Sequence, residues 1–216
     1  CYSMNGRFLE ADRVLAGVTD TLHMSRATQA AYYAAQHRQN RECRSQSEPG
    51  AERDRFRACE EYYARRALET TGDISKRFYF AYLVAVDEGD YDRAAAACDS
   101  ALACAPPASH DYARAAFYRS ETERFRGDEA ARFEWLVHAA MADVQGAVRD
   151  YGALGGVAEE LLRRGDAARA MRCIRVAIND TQAYNSPIRS WRDMAILPQI
   201  EQAYSERNAR LRAMYV

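Results

Sequence analysis

The sequence predicts an all-α fold in which helical hairpins stack in a row and a final helix covers the C-terminal end. Three observations support this prediction. Valine, isoleucine and threonine are sparse and no segment alternates polar and apolar residues, so strands are not expected. Alanine, arginine, glutamate and leucine dominate the composition, which favours helices. Glycine–aspartate pairs recur at a fixed spacing, which indicates that the helices repeat.

The composition is that of a globular chain. It has 216 residues, of which 48% are hydrophobic and 28% charged, with a net charge of -1. Only Lys76 among the 30 basic residues is a lysine, a compositional bias that does not indicate nucleic-acid binding. The longest apolar run, Phe78 to Val86, has nine residues, far fewer than the roughly 20 that cross a bilayer. The chain begins at Cys1 without a methionine, which indicates a fragment or a processed form.

Regularly placed glycines mark the repeats. Gly89, Gly127 and Gly165 lie 38 residues apart, and an aspartate follows each of them. Gly6 begins a fourth copy near the start of the chain, and Gly50, 39 residues before Gly89, marks a weaker fifth. A glycine ends a helix in the left-handed conformation, and an aspartate suits the N-terminus of the next helix. Each pair therefore predicts the tight turn of a helical hairpin.

The elements follow from these turns. We expect one repeat domain over residues 1–216, with hairpins at about 6–70, 73–105, 110–144 and 147–183 and a C-terminal helix at about 186–214. In the second hairpin, small and aromatic residues line one face of each helix: Phe78, Ala81, Tyr82 and Ala85, then Tyr91, Ala94, Cys98 and Ala101. The fourth hairpin repeats this pattern with Leu154, Val157, Ala158 and Leu161, then Ala170, Ile174 and Ala177. The pattern resembles the tetratricopeptide (TPR) repeat, which implies a right-handed superhelical stack.

The hairpin around Gly127 departs from the pattern. Arg119, Glu123 and Arg132 stand where small or apolar residues are expected between its two helices. Arg119 and Glu123 are four residues apart and share a helix face. A lone buried charge is costly, so we expect either a structural cluster of all three side chains or a shift of register that releases them to solvent.

The C-terminal helix has two halves. Ser186 is the expected N-cap, with Pro187 in the first turn, and Pro198 is expected to kink the helix. The first half carries the apolar residues Trp191, Met194, Ile196, Leu197 and Ile200, which we expect to cap the end of the stack. The second half is polar and arginine-rich through Glu206, Arg207, Arg210 and Arg212, and we expect it to project.

From Ser109 to Tyr204 the chain resembles a more particular family. The shared runs are Ser109-His110-Asp111-Tyr112-Ala113, Ala140-Met141-Ala142-Asp143-Val144, Gly165-Asp166 with Arg169-Ala170, Tyr184-Asn185 with Ile188-Arg189, and Ile196-Leu197-Pro198 with Ile200, Ala203 and Tyr204. They are similar to the TPR-like sensor region, catalogued as a domain of unknown function, of Bacteroidetes membrane-anchored transcriptional regulators. Arg119, Ser120 and Glu123 depart from the family's leucine, alanine and tyrosine.

The resemblance implies a role in signalling. In that family the sensor region is extracytoplasmic, and its last helix leads into a transmembrane segment, a cytoplasmic coiled coil and a helix-turn-helix module. Direct DNA binding would then belong to segments of the parent protein beyond Val216 and not to this fragment. A homodimer through the C-terminal helix fits the same arrangement.

Catalytic motifs are not found. The four histidines are scattered, without metal-ligand or protease spacing, and no nucleophile elbow, phosphate loop or dinucleotide fingerprint occurs. No Cys-x-x-Cys pair occurs among the six cysteines, and a buried thiol often acts as a small apolar filler. Gly152, Gly155 and Gly156 lie in a helical pattern and indicate close helix packing. We therefore predict no enzyme activity, no catalytic or metal-binding residues and no cofactor.

A binding surface is a better prospect. The first helices of a TPR-like stack line its concave side, and in the second hairpin this places Lys76, Tyr79, Leu83 and Val86 in a groove. Aromatic residues with a few charges suit a peptide or a helix. The alternative is that the 14 tyrosines, such as Tyr32-Tyr33 and Tyr62-Tyr63, pack between repeats with their hydroxyls in water.

Two functions remain open at this point, with an enzyme as a distant third. The first is a sensor domain of a membrane-anchored regulator, which binds an unidentified peptide, protein or small ligand and relays the binding through the C-terminal helix. The second is a free-standing cytoplasmic TPR scaffold that binds a peptide or protein. An export signal upstream and a transmembrane helix downstream of this segment distinguish the first from the second.

Overall fold

The structure is a computed structural model that describes residues 7–147 except 19 and 22, residues 152–183 and residues 187–214. Ten α-helices and no strand occur in this part of the chain: α1 (Phe8–Ala16), α2 (Arg26–Gln46), α3 (Ala51–Thr70), α4 (Ile74–Asp87), α5 (Tyr91–Cys104), α6 (His110–Arg126), α7 (Glu129–Gln145), α8 (Gly152–Arg163), α9 (Ala167–Ala183) and α10 (Pro187–Met214). The prediction of an all-α, TPR-like helical-repeat fold is confirmed.

The chain forms two compact units, Cys1–Ala101 (unit 1) and Leu102–Val216 (unit 2). Unit 1 holds α1 to α4 and most of α5, and unit 2 holds the end of α5 and α6 to α10. Each unit has a hydrophobic core of its own. A single repeat domain over residues 1–216 stays a prediction.

The three turn glycines occupy equivalent corners. Gly89, Gly127 and Gly165 have φ angles of 71°, 77° and 80°, in the left-handed region that favours glycine. In each corner the amide of the following aspartate donates to a carbonyl five residues earlier: Asp90 to Ala85, Asp128 to Glu123 and Asp166 to Leu161, at 2.8–3.0 Å. The same aspartates accept from the amides of Arg93, Ala131 and Arg169, all at 2.9 Å, and so begin α5, α7 and α9. Gly6 lies outside the described residues.

Unit 1 is built around α2, α3 and α4. Its core joins Tyr33 of α2 to Ala64 and Ala67 of α3 and to Phe80 and Val84 of α4. On the opposite side of α4, Tyr82 and Ala85 are buried, as are Ala94 and Cys98 of α5. α4 is therefore covered on both sides. α1 packs against α2, where the buried Gln39 donates to the carbonyl oxygen of Phe8 at 3.1 Å and to Asp12 at 2.8 Å.

Unit 2 contains the larger core. The apolar positions predicted for the fourth hairpin are buried in it: Leu154, Val157, Ala158, Leu161, Ala170, Ile174 and Ala177. Gly156 lets α8 approach α7 closely, since an added Cβ would lie 3.3 Å from the Leu136 side chain. The short side chains of these helices permit tight packing.

The C-terminal helix α10 completes the core of unit 2. Ile200 is fully buried, and Ile196, Leu197 and Tyr204 pack against the core of α7 to α9. Pro198 lies inside the helix, which is continuous from Pro187 to Met214. Ser186 and the side chain of Trp191 lie outside what the structure describes. In the described part of the chain no helix combines the length and the apolar character that a membrane crossing requires.

Candidate functional site

The groove predicted on α4 is partly covered. Lys76 is exposed and forms an ion pair with Asp73 at 3.4 Å, one turn earlier. Tyr79 and Leu83 pack against the core of unit 1, and Val86 is partly buried. Of the four predicted residues, only Lys76 is fully open to solvent. The structure thus gives α4 a cationic end followed by a half-buried apolar strip.

Tyr79 connects this strip to α2. The Arg41 Nη1 atom donates to the Tyr79 hydroxyl at 3.1 Å. The imidazole of His37 meets the rings of Tyr79 and Phe80 edge-on, with centroids 6.1 and 5.5 Å apart. An aromatic ring with a hydrogen-bonded hydroxyl at its rim is a rigid contact surface. Side chains of both α2 and α4 therefore build the surface that the sequence assigned to α4 alone.

His37 is a neutral core histidine. It is buried, and burial together with the positive charges of Arg41, Arg38 and Arg44 lowers its pKa to about 3. Its Nε2 atom lies 3.8 Å from Glu60 Oε1, too far for a hydrogen bond, and a neutral ring forms no ion pair. Glu60 pairs instead with Arg44, whose Nε donates to Oε2 at 2.6 Å.

A carboxylate cluster lies at the C-terminal end of α4. Asp87 keeps one side exposed, but partial burial and the nearby negative charges of Glu61 and Glu60 raise its pKa to about 6. Arg57 and Arg44 oppose this rise without cancelling it. Asp87 therefore changes charge near pH 6, which the sequence did not reveal because these carboxylates come from different helices.

The tyrosine pairs of unit 1 mainly serve packing between α2 and α3. Tyr33 is buried and stacks on Tyr63 with centroids 6.2 Å apart, while Tyr32 meets Tyr63 edge-on at 6.5 Å. The Arg66 guanidinium lies 5.2 Å from the centroid of the Tyr33 ring, within cation–π range. Tyr62, in contrast, is 55% exposed. The structure thus follows the packing alternative for three of these four tyrosines.

In unit 2 the structure brings Arg119 and Glu123 together on α6. Glu123 is buried and pairs with Arg119, and it also accepts from Arg126 at 3.2 Å. The Arg119 guanidinium lies 5.6 Å from the centroid of the Trp135 ring of α7, so the pair reaches the facing helix through an aromatic ring. This buried carboxylate is satisfied by two arginines of its own helix.

Arg132 is placed elsewhere. It pairs with Glu129 at 2.9 Å, one turn earlier on α7, and its side chain is 18% exposed. Its Nε atom is buried and has no hydrogen-bond partner among the described residues. Arg163 of α8 reaches the same Glu129 at 3.2 Å. Arg132 thus belongs to an ion-pair chain between α7 and α8 and not to the predicted cluster with Arg119.

A cleft opens where the α8–α9 corner meets α7 and α10. Its volume is about 480 Å³, and we call it the arginine cleft. It is lined by Phe133 of α7, Leu161 and Arg164 at the end of α8, Gly165 and Asp166 of the corner, Arg169 of α9 and Arg207 of α10. Both the turn glycine Gly165 and the helix α10 therefore contribute directly to a concave surface.

A second, apolar depression lies between α7 and α8. It has a volume of about 280 Å³ and is lined by Val137, Ala140, Met141, Val144, Gln145, Leu154 and Val157. Met141 and Val144 are 52% and 54% exposed. The depression lies next to the connection between α7 and α8, whose residues 148–151 the structure does not describe.

Metal-ligating side chains do not cluster in the described part of the chain. No group of three or more His, Cys, Asp or Glu side chains there could hold a metal ion. Cys43, Cys59, Cys98, Cys104 and Cys173 are free thiols, and burial raises the pKa of Cys43 and Cys173. A thiol with a raised pKa is a poor nucleophile at neutral pH.

A family profile relates the chain to known proteins. The profile of the SusR N-terminal TPR domain matches residues 1–194. The chain belongs to this family. The match confirms the predicted kinship with a TPR-like domain of regulators, and it also covers the residues before Ser109. Comparison with curated proteins and with solved structures gives no match.

Membership of the SusR N-terminal TPR family describes the chain as a helical-repeat domain of the kind that mediates interactions. Such domains are typically non-catalytic.

Two features of the described site were not found from the sequence. The sequence around His37 does not indicate a buried neutral histidine, and it predicts Arg207 in a projecting polar half of α10. The one available indication was the arginine density around the Gly165 corner.

Proposed function

We propose that the chain is the sensor region of a membrane-anchored transcriptional regulator. In this proposal it binds a ligand or a protein partner on the extracytoplasmic side of the membrane and relays the binding through α10. Its membership of the SusR N-terminal TPR family supports a regulatory role. DNA binding and membrane anchoring belong to other segments of the parent protein.

The observation that carries the proposal is the burial of Ile200. This residue of α10 is fully buried in one core with α8 and α9, and Tyr204 packs against the same core one turn later. A close-packed core transmits displacement, because it cannot absorb a shift of one helix without moving its neighbours. A displacement of the α8–α9 hairpin is therefore expected to displace α10.

The partner surface in this proposal is the α2–α4 face of unit 1. Lys76 offers an exposed cation that pairs with Asp73 one turn earlier, and Tyr79, Leu83 and Val86 offer a half-buried apolar strip beside it. This combination suits a peptide with an acidic and an apolar residue in sequence. Pairing of two copies through the exposed side of α10 belongs to the same proposal.

The relay can be tested in the full-length regulator in its native host. Ile200→Val removes one buried methyl group and costs about 1 kcal/mol of packing. Because a shift of this size changes a two-state equilibrium about fivefold, we expect a comparable change in the ratio of induced to uninduced transcription. The measurement is a reporter fused to the promoter next to the parent gene, with immunoblots to confirm equal protein abundance.

Met214→Leu is the matched control, because Met214 also lies on α10 but is 70% exposed. It is expected to leave the reporter unchanged. A folded and abundant Ile200→Val variant with wild-type transcription under every growth condition would contradict the relay and favour a scaffold without output through α10. Circular dichroism of the isolated chain establishes that the variant is folded.

A further inference from the structure

The arginine cleft has an unusual set of charges for its size. Three of the residues that line it are arginines (Arg164, Arg169 and Arg207), against one carboxylate, Asp166. A volume of about 480 Å³ lies in the range of small-molecule sites. Guanidinium groups present planar pairs of N–H donors, which match the two oxygens of a carboxylate.

Two of these arginines are held in place through their Nε atoms, which leaves their terminal Nη atoms for a ligand. Arg164 donates from Nε to Glu160 at 2.6 Å, and Arg169 donates from Nε to Asp166 at 2.5 Å. The terminal Nη atoms of both side chains take no part in these bonds. The guanidinium groups are thus oriented before any ligand arrives, which lowers the entropic cost of binding.

The carboxylates of Glu160 and Asp166 are paired with these arginines. Burial raises the pKa of Glu160, but hydrogen bonds from Arg164 and Arg163 outweigh it, and the net pKa is lowered. The pKa of Asp166 is lowered by the backbone amide and then the side chain of Arg169. Both carboxylates therefore stay ionised and paired with their arginines. Each pairing uses the Nε atom of its arginine in the cleft.

Arg207 differs from the other two arginines. It is exposed, and among the side chains that the structure describes no ion-pair or hydrogen-bond partner is found for it. The adjacent Glu206 accepts from Gln202 at 3.0 Å and lies 3.6 Å from Arg210. The cleft thus receives one uncompensated positive charge from α10.

Phe133 and Leu161 are the apolar side chains that line the cleft. Arg164 lies 4.1 Å from the centroid of the Phe133 ring, and Leu161 is 6% exposed beneath it. A stacked guanidinium and a buried leucine favour a ligand with a flat or apolar body over a fully hydrated inorganic ion.

We propose that the arginine cleft binds a small organic carboxylate, whose anionic group bridges Arg207 of α10 and Arg164 or Arg169 of the α8–α9 corner while its body lies beside Phe133 and Leu161. The proposal rests on the proposed sensor function for its biological meaning. The binding event itself stands on the cleft geometry alone. A bridging anion would tie α10 to the hairpin on which it packs.

The test uses three probes and the purified chain. Phthalate is a flat dicarboxylate, phthalamide is its neutral counterpart, and inorganic phosphate is an anion without an apolar body. We expect calorimetry to show saturable phthalate binding, no phthalamide binding, and phosphate binding weaker than that of phthalate. The affinity for phthalate should fall as salt increases, because the interaction is between charges near the surface.

The decisive variant is Arg207→Gln, with Arg210→Gln as the control on the same helix. Loss of a charge-assisted contact at Arg207 should raise the Kd for phthalate about tenfold, and Arg210→Gln should leave it unchanged. Circular dichroism should give the same melting curve for both variants, since both arginines are exposed.

Four results would overturn the proposal: no phthalate binding by the wild-type chain, equal binding of phthalamide, tighter binding of phosphate than of phthalate, or the same loss in both variants. None of them depends on transcription. If phthalate binds as expected but Ile200 variants leave the reporter unchanged, the cleft assignment stands and the relay fails.

Discussion

Burial and nearby arginines keep His37 neutral in the middle of unit 1. The imidazole packs edge-on against Tyr79 and Phe80, and its pKa is lowered to about 3 first by burial and then by Arg41, Arg38 and Arg44. A histidine in an unfolded chain has a pKa near 6.5. The folded chain therefore binds a proton at His37 far less readily than the unfolded chain does.

This difference predicts a loss of stability in acid. The contribution of the neutral His37 to the free energy of unfolding is fully present above about pH 6.5. It is lost as the pH falls toward 3, because the unfolded chain binds a proton at His37 in this range and the folded chain does not. Between pH 7 and pH 5 the loss is about 2 kcal/mol. His37→Phe keeps a ring in the core but cannot titrate. Between pH 7 and pH 5 the free energy of unfolding of this variant should therefore fall by about 2 kcal/mol less than that of the wild type. Urea denaturation at the two pH values measures the effect.

His23→Phe is the control for this measurement. The side chain of His23 is 86% exposed, and its Nδ1 atom lies 2.6 Å from the exposed Asp20. Its substitution should change the pH dependence of unfolding less than His37→Phe does, because it removes a histidine without disturbing a buried ring. Equal pH dependence in the wild type and the His37→Phe variant would show that His37 is accessible to protons in the folded chain.

At the scale of elements, the hairpin corners follow from local chemistry. Gly89, Gly127 and Gly165 all adopt the left-handed conformation, and the next residue is always an aspartate that caps the following helix. An added Cβ at these glycines would meet no atom within 4 Å. Backbone conformation, and not crowding, therefore selects glycine at these corners.

Gly127→Ala should accordingly destabilise unit 2 by about 1 kcal/mol, the cost of a left-handed conformation for a residue with a Cβ. Gly152→Ala is the matched control. Gly152 begins α8 without a left-handed φ angle, and an added Cβ there also meets no atom within 4 Å. Alanine at this position should leave stability unchanged or raise it slightly. Thermal unfolding of the two variants measures the difference, and equal effects would contradict the assignment of the corner.

The α6–α7 pair shows how far helical spacing can predict contacts. The Arg119–Glu123 pair follows from a separation of four residues on one helix, and the structure contains it. The expected contribution of Arg132 depended on the register between two helices, which spacing along one helix does not define. Arg132 instead finds Glu129 one turn away on its own helix, where the partner is fixed by local geometry.

At the scale of the whole molecule, the repeat period predicted the fold better than the site. The apolar positions from Leu154 to Ala177 lie in the core as expected, because a helix face is a local property. The arginine cleft joins residues from Phe133 to Arg207 on four helices, so no sequence motif contains it. The burial of His37 could not be predicted for the same reason, since residues of both α2 and α4 surround it.

The two compact units divide the proposed tasks. Unit 1 carries the α2–α4 surface with Lys76 and Tyr79, and unit 2 carries the arginine cleft together with α10. α10 is both a wall of the cleft, through Arg207, and a part of the core, through Ile200. A ligand in the cleft therefore acts on the same helix that the proposed relay requires.

Hydrogen exchange of α10 tests this account most directly. The amides of residues 196–207 are followed in the free chain, with saturating phthalate and with the same concentration of phthalamide. We expect slower exchange in this segment with phthalate only, because a bridging anion ties α10 to the α8–α9 corner and reduces its local opening. Unchanged exchange in α10 while calorimetry shows the cleft to be saturated would contradict it.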